Sequence, residues 1–141
     1  MDNDERQAVE AANLAFYRAL ESQQIELIDE LWAHESWVRC VHPGWDVISG
    51  WQRVRESWLR VFEGGHKMRV SPTDIFVQVE GSLAWVTCTE NITVFDSTSF
   101  DTAQAAATNL FIRRNGRWLM VLHHASPIPT IVPDTSSNTI Q

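Results

Sequence analysis

The sequence predicts an α+β domain in which three N-terminal helices precede a run of consecutive antiparallel strands. Three observations predict it. Apolar residues recur at helical spacing as far as residue 62, and from residue 68 the period changes to two. Asn115-Gly116, a pair suited to a two-residue hairpin turn, then separates two apolar alternating segments. A long curved sheet laid around helices buries both kinds of stripe.

Residues 4–21 form the first predicted helix. Ala8, Ala12, Ala15, Phe16 and Ala19 make one stripe, widened by Val9 and Leu20, with Arg6, Glu10, Asn13 and Arg18 mostly opposite. Asp2 or Asn3 can cap its start. Ser22-Gln23-Gln24 interrupts the pattern, and Ile25, Ile28, Leu31 and Trp32 give a short second helix its buried side. Residues 37–42, bounded by Pro43-Gly44, are predicted as a strand. Ser49-Gly50 introduces a third helix, on which Trp51, Val54, Trp58, Val61 and Phe62 share a face, and Gly64-Gly65 ends it.

Residues 69–80 follow as a strand whose Pro72 suits an edge or a bulge. Gly81-Ser82 turns the chain into residues 83–95, a strand with Ala84, Val86, Cys88, Glu90 and Ile92 on one face. Residues 96–102 are a polar loop, and 104–114 and 117–126 are the last two strands. Residues 1–127 make one domain, and the Pro-, Ser- and Thr-rich residues 128–141 are expected to form an extended arm.

Composition narrows the function classes. The chain has 141 residues, 44% hydrophobic and 21% charged, which is enough for a core without metal or disulfide support. A formal net charge of −7 argues against nucleic-acid and anionic-membrane partners, both of which need clustered Lys and Arg. The acidic opening Met1-Asp2-Asn3-Asp4-Glu5 does not resemble a secretory signal, so the expectation is a cytoplasmic protein with Cys40 and Cys88 reduced. Seven tryptophans stand against one tyrosine, and five of them fall between Trp32 and Trp58. That density suits either a tryptophan-rich core or an aromatic-walled cavity.

The Asn115-Gly116 turn pairs Arg114 with Arg117 and sets a register: Phe111 opposite Met120, Asn109 opposite Leu122, Ala107 opposite His124. In that register Trp118, Met120, Leu122, His124 and Ser126 share one face. Leu110, Ile112, Leu119, Val121 and His123 share the other, which a second copy of the chain would cover in a homodimer. His123 and His124, being adjacent on a strand, point to opposite sides.

The segment Ala107-Thr108-Asn109-Leu110-Phe111-Ile112-Arg113-Arg114-Asn115-Gly116-Arg117-Trp118-Leu119-Met120-Val121-Leu122-His123-His124-Ala125-Ser126-Pro127 resembles the C-terminal hairpin of SnoaL-like proteins, within the NTF2-like superfamily that includes the ketosteroid-isomerase type. Residues 14–21 followed by 25–32 resemble that family's first two helices, and the resemblance covers about residues 4–127. It implies a cone: a strongly curved mixed or antiparallel sheet, helices closing the wide side, and an internal pocket. It also implies dimers through the sheet. The family's inward histidine, two residues before the serine of the last strand, corresponds to His124. Activities in the family include isomerases, cyclases, dehydratases and epoxide hydrolases, so the fold leaves the reaction open. The chain departs from the family at Gln24, where Asp often caps the second helix. It departs again at Phe16, the position matching the tyrosine of the isomerase branch, with Tyr17 one step off that face.

The polar groups on inward parities are the candidates for chemistry. His124, Glu90 and His42 are the expected acid–base residues, because a buried carboxylate beside a histidine suits proton transfer near neutral pH. Trp37, Cys40, Trp45, Trp51, Trp58, Cys88, Asn109, Phe111, Trp118, Met120 and Leu122 are the expected lining of the ligand pocket. His42, Glu90 and His124 have no metal-motif spacing, and neither a metal nor an organic cofactor is expected. The expected ligand is a small, mostly apolar molecule, bound with or without an isomerase-, dehydratase-, cyclase- or hydrolase-type reaction. A non-catalytic binding module and a dimeric assembly module are the alternatives.

Overall fold

In the computed structural model, which describes residues 2–129, helices α1 (Asp2–Ser22) and α2 (Ile25–Leu31) lead into short strands β1 (Arg39–Val41) and β2 (Ile48–Ser49). Helix α3 (Trp51–Phe62) follows, and then four long strands: β3 (Lys67–Glu80), β4 (Leu83–Phe95), β5 (Phe100–Arg114) and β6 (Arg117–Ile128). All six strands form one open sheet in the order β2-β1-β6-β5-β4-β3. β1 runs parallel to β6 and the other neighbours are antiparallel, so the sheet is mixed. The inner face wraps α1, which packs chiefly on β3, as the α+β cone requires. No helix among the described residues is long and apolar enough to cross a membrane.

Several boundaries differ from the sequence-based expectation. β1 is only three residues long, and β2, which had no sequence signal, pairs with it. The loop after β4 shrinks to residues 96–99, because Asp96 Oδ1 accepts from the backbone N–H of Thr98 and Ser99 and ties a tight turn. β6 continues to Ile128, opposite Gln104. The remainder of the expected arm, residues 130–141, lies outside the described residues.

The buried stripe of α1 is Val9, Asn13, Phe16, Tyr17, Ala19 and Leu20, while Ala8 and Ala15 are exposed. Val9, Phe16, Ala19 and Leu20 of the expected stripe are buried, but alanine carries little apolar area, so counting alanines turned part of the expected face away from the true one. The larger side chains decide the face, and they carry Asn13 and Tyr17 inward with them.

The hairpin turn forms as expected, with Asn115 at φ 50° and Gly116 at φ 77°, both left-handed. Arg114 pairs with Arg117 and Phe111 with Met120. The next pair, however, is Leu110 with Leu122, which leaves Val121 as an extra residue on β6. This β-bulge reverses the facing of everything beyond it. Asn109 stands opposite His123, and His123 and Ala125 point inward, 2% and 1% exposed. His124 and Ser126 are on the surface. The expected facing of the two histidines is therefore wrong, and Leu122 faces out as well.

Met120→Ala should cost about 2–5 kcal/mol of stability, as a cavity-forming core change does. His124→Ala, an exposed change, should stay within about 0.5 kcal/mol. Urea unfolding of the two variants measures both values, and comparable losses would contradict the inward–outward assignment.

Candidate active site

Inside the cone, four elements converge on one polar network. α1 supplies Asn13 and Tyr17, β4 supplies Cys88 and Glu90, β5 supplies Asn109, and β6 supplies His123. Tyr17 Oη donates to Glu90 Oε2 at 2.7 Å and lies 3.4 Å from Cys88 Sγ. Asn109 Nδ2 donates to Asn13 Oδ1 at 2.8 Å and to Tyr17 Oη at 3.1 Å. Both amide hydrogens of Asn109 are thereby used, and its Oδ1 faces His123 Nδ1 at 2.6 Å. An amide oxygen only accepts, so His123 carries its proton on Nδ1. Its Nε2 then holds a lone pair, 3.8 Å from Glu90 Oε2.

Burial sets the protonation of this group. Desolvation pushes the Glu90 carboxyl from its ordinary value up to about 7, against the Tyr17 hydrogen bond, which pulls it down. Desolvation also lowers His123 to about 3, with His42 and His124 adding to the effect. The Tyr17 hydroxyl is raised, first by burial and then by Glu90. As pH falls below neutral the proton of the Glu90–His123 pair belongs to Glu90, and both residues are uncharged between about pH 3 and 7. A separation of 3.8 Å is too long for a hydrogen bond, so they do not form a bonded ion pair.

His42 sits apart from this network. Its Nε2 is 2.8 Å from Ser57 Oγ, and Ser57 spends its one hydrogen on the Val54 carbonyl at 2.6 Å. His42 must therefore donate from Nε2. Burial lowers its pKa to about 4. Its ring meets Trp45 at 4.7 Å and Trp58 at 4.4 Å, both edge-on. Ser57 is also on the wall of a surface cleft of about 410 Å³, with Trp45, Ile48, Arg53 and Arg60. A second cleft, of about 420 Å³, lies on the outer sheet face against Asp74, Thr87, Thr108, His124 and Ser126. Neither is lined by Glu90 or His123. The rings of Phe16, 4.9 Å away, and Trp58, 5.7 Å away, pack on the His123 ring.

A family model for the SnoaL-like domain matches residues 9–131. The chain belongs to the SnoaL-like family. Among solved structures, a candidate dehydratase of the NTF2-like family from Streptomyces avermitilis is 34% identical and superposes with a TM-score of 0.85, over 92% of this chain and 100% of that one. A candidate calcium/calmodulin-dependent protein kinase type II association domain from Thiobacillus denitrificans is 28% identical, with a TM-score of 0.69 over 85% and 94% of the two chains. A curated relative, the F-box protein SKIP8 of Arabidopsis thaliana, is 27% identical over 119 residues. Those residues make up 84% of this chain but 49% of that protein, so the SnoaL-like chain spans about half the length of this curated relative.

The SnoaL-like cone sorts the residues singled out from the sequence. Glu90 and Asn109 are in the network, and Cys88 borders it. Cys40 is buried, 3.8 Å from His42. Trp58, Phe111, Trp118 and Met120 are core. Trp37 is exposed beneath the Arg114 guanidinium, Trp45 is on the cleft, and Trp51 stacks on His34 at 4.5 Å. His124 lies on the opposite side of the sheet from Glu90, so the two acid–base candidates do not meet. Among the described residues, no three His, Cys, Asp or Glu side chains converge in a way that could hold a metal ion. Sequence reasoning missed Asn13, Tyr17, Ser57 and His123. Large-residue spacing on α1 (9, 13, 16, 17, 20) held a signal for the first two. The third shares a helical turn with Val54 and Trp58, and nothing in the sequence marks the bulge that brings in the fourth.

These shifts predict a pH dependence. The pKa of Glu90 is raised on folding, so its contribution is fully present below pH 4.5 and is lost as pH rises toward 7. Those of His42 and His123 are depressed, so their contributions are present above pH 6.5 and are lost as pH falls toward 4 and 3. Glu90→Gln should gain on the wild type by roughly 3 kcal/mol between pH 4.5 and 7 and hold a constant difference above that. Parallel stability curves for the two proteins across this window would show that Glu90 titrates normally.

Proposed function

We propose that this SnoaL-like protein binds a small, mostly apolar molecule in its cone and dehydrates it by acid–base chemistry without an organic cofactor. The observation that carries the reading is the buried Glu90 carboxyl, held at 2.7 Å by Tyr17 and faced at 3.8 Å by the unprotonated Nε2 of His123. A general acid and a general base are then present together near neutral pH, which is the requirement for eliminating water. His123 Nε2 takes a proton from the carbon beside a substrate carbonyl. Glu90 gives its proton to the hydroxyl on the next carbon, the C–O bond breaks, a C=C bond forms, and water leaves. The pair resets when the proton passes from His123 to Glu90, which stand only about 0.6 Å beyond hydrogen-bond range. The likeness to a candidate dehydratase at 34% identity supports the same class. A set of small β-hydroxy ketones, followed by the absorbance of the conjugated enone, tests it. Glu90→Gln and His123→Gln should each lower kcat by about 10²–10⁴-fold. Full turnover by either variant would reject the assignment, and tight binding with every compound recovered unchanged would make the cone a binding module instead.

We also propose that the outer sheet face joins two copies of the chain. Leu110, Ile112, Leu119 and Leu122 are half-buried there and form an apolar surface beside His124. Val121 and His123, expected on this face from the sequence, are buried and take no part. Light scattering should give twice the chain mass, and Leu119→Glu should give the chain mass alone. A wild-type monomer at micromolar concentration would end this reading.

A further inference from the structure

Hydrogen-bonding capacity in the interior is nearly spent. Asn13, Tyr17, Ser57, Asn109 and Nδ1 of His123 all have partners. The buried Trp118 indole also donates, to Glu5 at 2.9 Å. Two buried indole donors have no acceptor among the described residues, Trp32 Nε1 and Trp58 Nε1. An unpaired buried donor costs about 1–3 kcal/mol, and a native interior carries few of them.

The two indoles differ in their surroundings. The aromatic neighbour of Trp32 is Trp51, which stacks on His34. Trp58 lies between the two interior histidines, 4.4 Å from His42 and 5.7 Å from His123, with Phe16 at 5.6 Å. It follows Ser57 in the chain, and Ser57 and Trp45 share the 410 Å³ cleft. Trp45 is 38% exposed and packs on His42 by a ring edge, and His42 packs in turn on Trp58.

We infer that Trp58 Nε1–H is the ligand-anchoring donor of the cone, and that the ligand presents a carbonyl oxygen to it. An indole nitrogen donates and cannot accept, so its partner must be an acceptor. A carbonyl accepts without bringing a hydrogen that needs a partner of its own, which a hydroxyl would. The same N–H would stabilise the negative charge that develops on that oxygen when His123 removes the neighbouring proton. The inference rests on the cone-binding part of the proposed function and not on turnover.

The test uses two neutral probes with one body, 1-tetralone and tetralin, which differ by a carbonyl. Calorimetry should give 1-tetralone about tenfold tighter binding, the equivalent of one buried hydrogen bond. In ¹H–¹⁵N spectra the Trp58 indole resonance should move on adding 1-tetralone, while that of Trp32 stays in place. Trp58→Phe should bring the two affinities together by weakening 1-tetralone alone. The spectra of the wild type keep the test decisive if that variant folds poorly. Equal affinities, or an unmoved Trp58 resonance with both probes bound, would overturn the carbonyl anchor and leave cone binding standing. If neither probe perturbs any interior resonance, cone binding fails and the anchor fails with it.

Discussion

One extra residue in β6 governs the interior of this protein. Val121 has no partner across the hairpin, and the register beyond it moves by one. Because side chains on a strand alternate, a shift of one exchanges faces completely. Without the bulge, His124 would point into the cone, and Asn109 would face Leu122 rather than a histidine. The bulged stretch lies where β6 is flanked on both sides: Leu122, His123 and His124 pair with β1 in parallel, and Met120 bridges Trp32. Extra twist at such a point helps a long sheet to curve around a helix. The feature that bends the sheet therefore also selects the histidine.

What His123 joins is a set of polar groups that would be costly to bury singly. A carboxyl, a phenol, two amides and an imidazole share an interior otherwise filled by aliphatic and aromatic side chains. The burden is met in two ways. Hydrogen bonds run from His123 through Asn109 to Asn13 and Tyr17, and from Tyr17 to Glu90. Charge is suppressed as well, since burial raises Glu90 and lowers His123 and His42. A network that is neutral and nearly complete can lie in a core at modest cost, and a carboxyl poised near neutrality can move a proton within it. The same arrangement would stiffen a non-catalytic core, which is why turnover and binding are separate questions for this cone.

The tryptophans show how one residue type divides its labour. Trp58 and Trp32 are buried with unmet donors, and Trp118 is buried with its donor paired to Glu5. Trp37 and Trp45 keep large exposed surfaces, the first under Arg114 and the second beside the cleft. Density of tryptophan in a sequence thus signals neither a core nor a cavity by itself. Which role each one takes depends on what the fold packs around it.

The sequence by itself determined the class and order of the fold. The change of apolar period near residue 68, the Asn115-Gly116 turn and the alternation of Ala84, Val86, Cys88 and Glu90 are local properties, and local properties survive in a string of letters. They located β4 and the near half of the last hairpin, and they put Glu90 and Asn109 inside. Tertiary structure decided the rest. The stripe on α1 was set by packing, where large side chains outweigh alanines, so Asn13 and Tyr17 entered the core. The exchange of His123 for His124 came from a bulge favoured by the curvature of the whole sheet and by its contact with β1, neither of which has a residue pattern of its own. The nearest neighbours of Glu90 were therefore settled by geometry between distant segments, while its place on the inner face was already legible in its own strand.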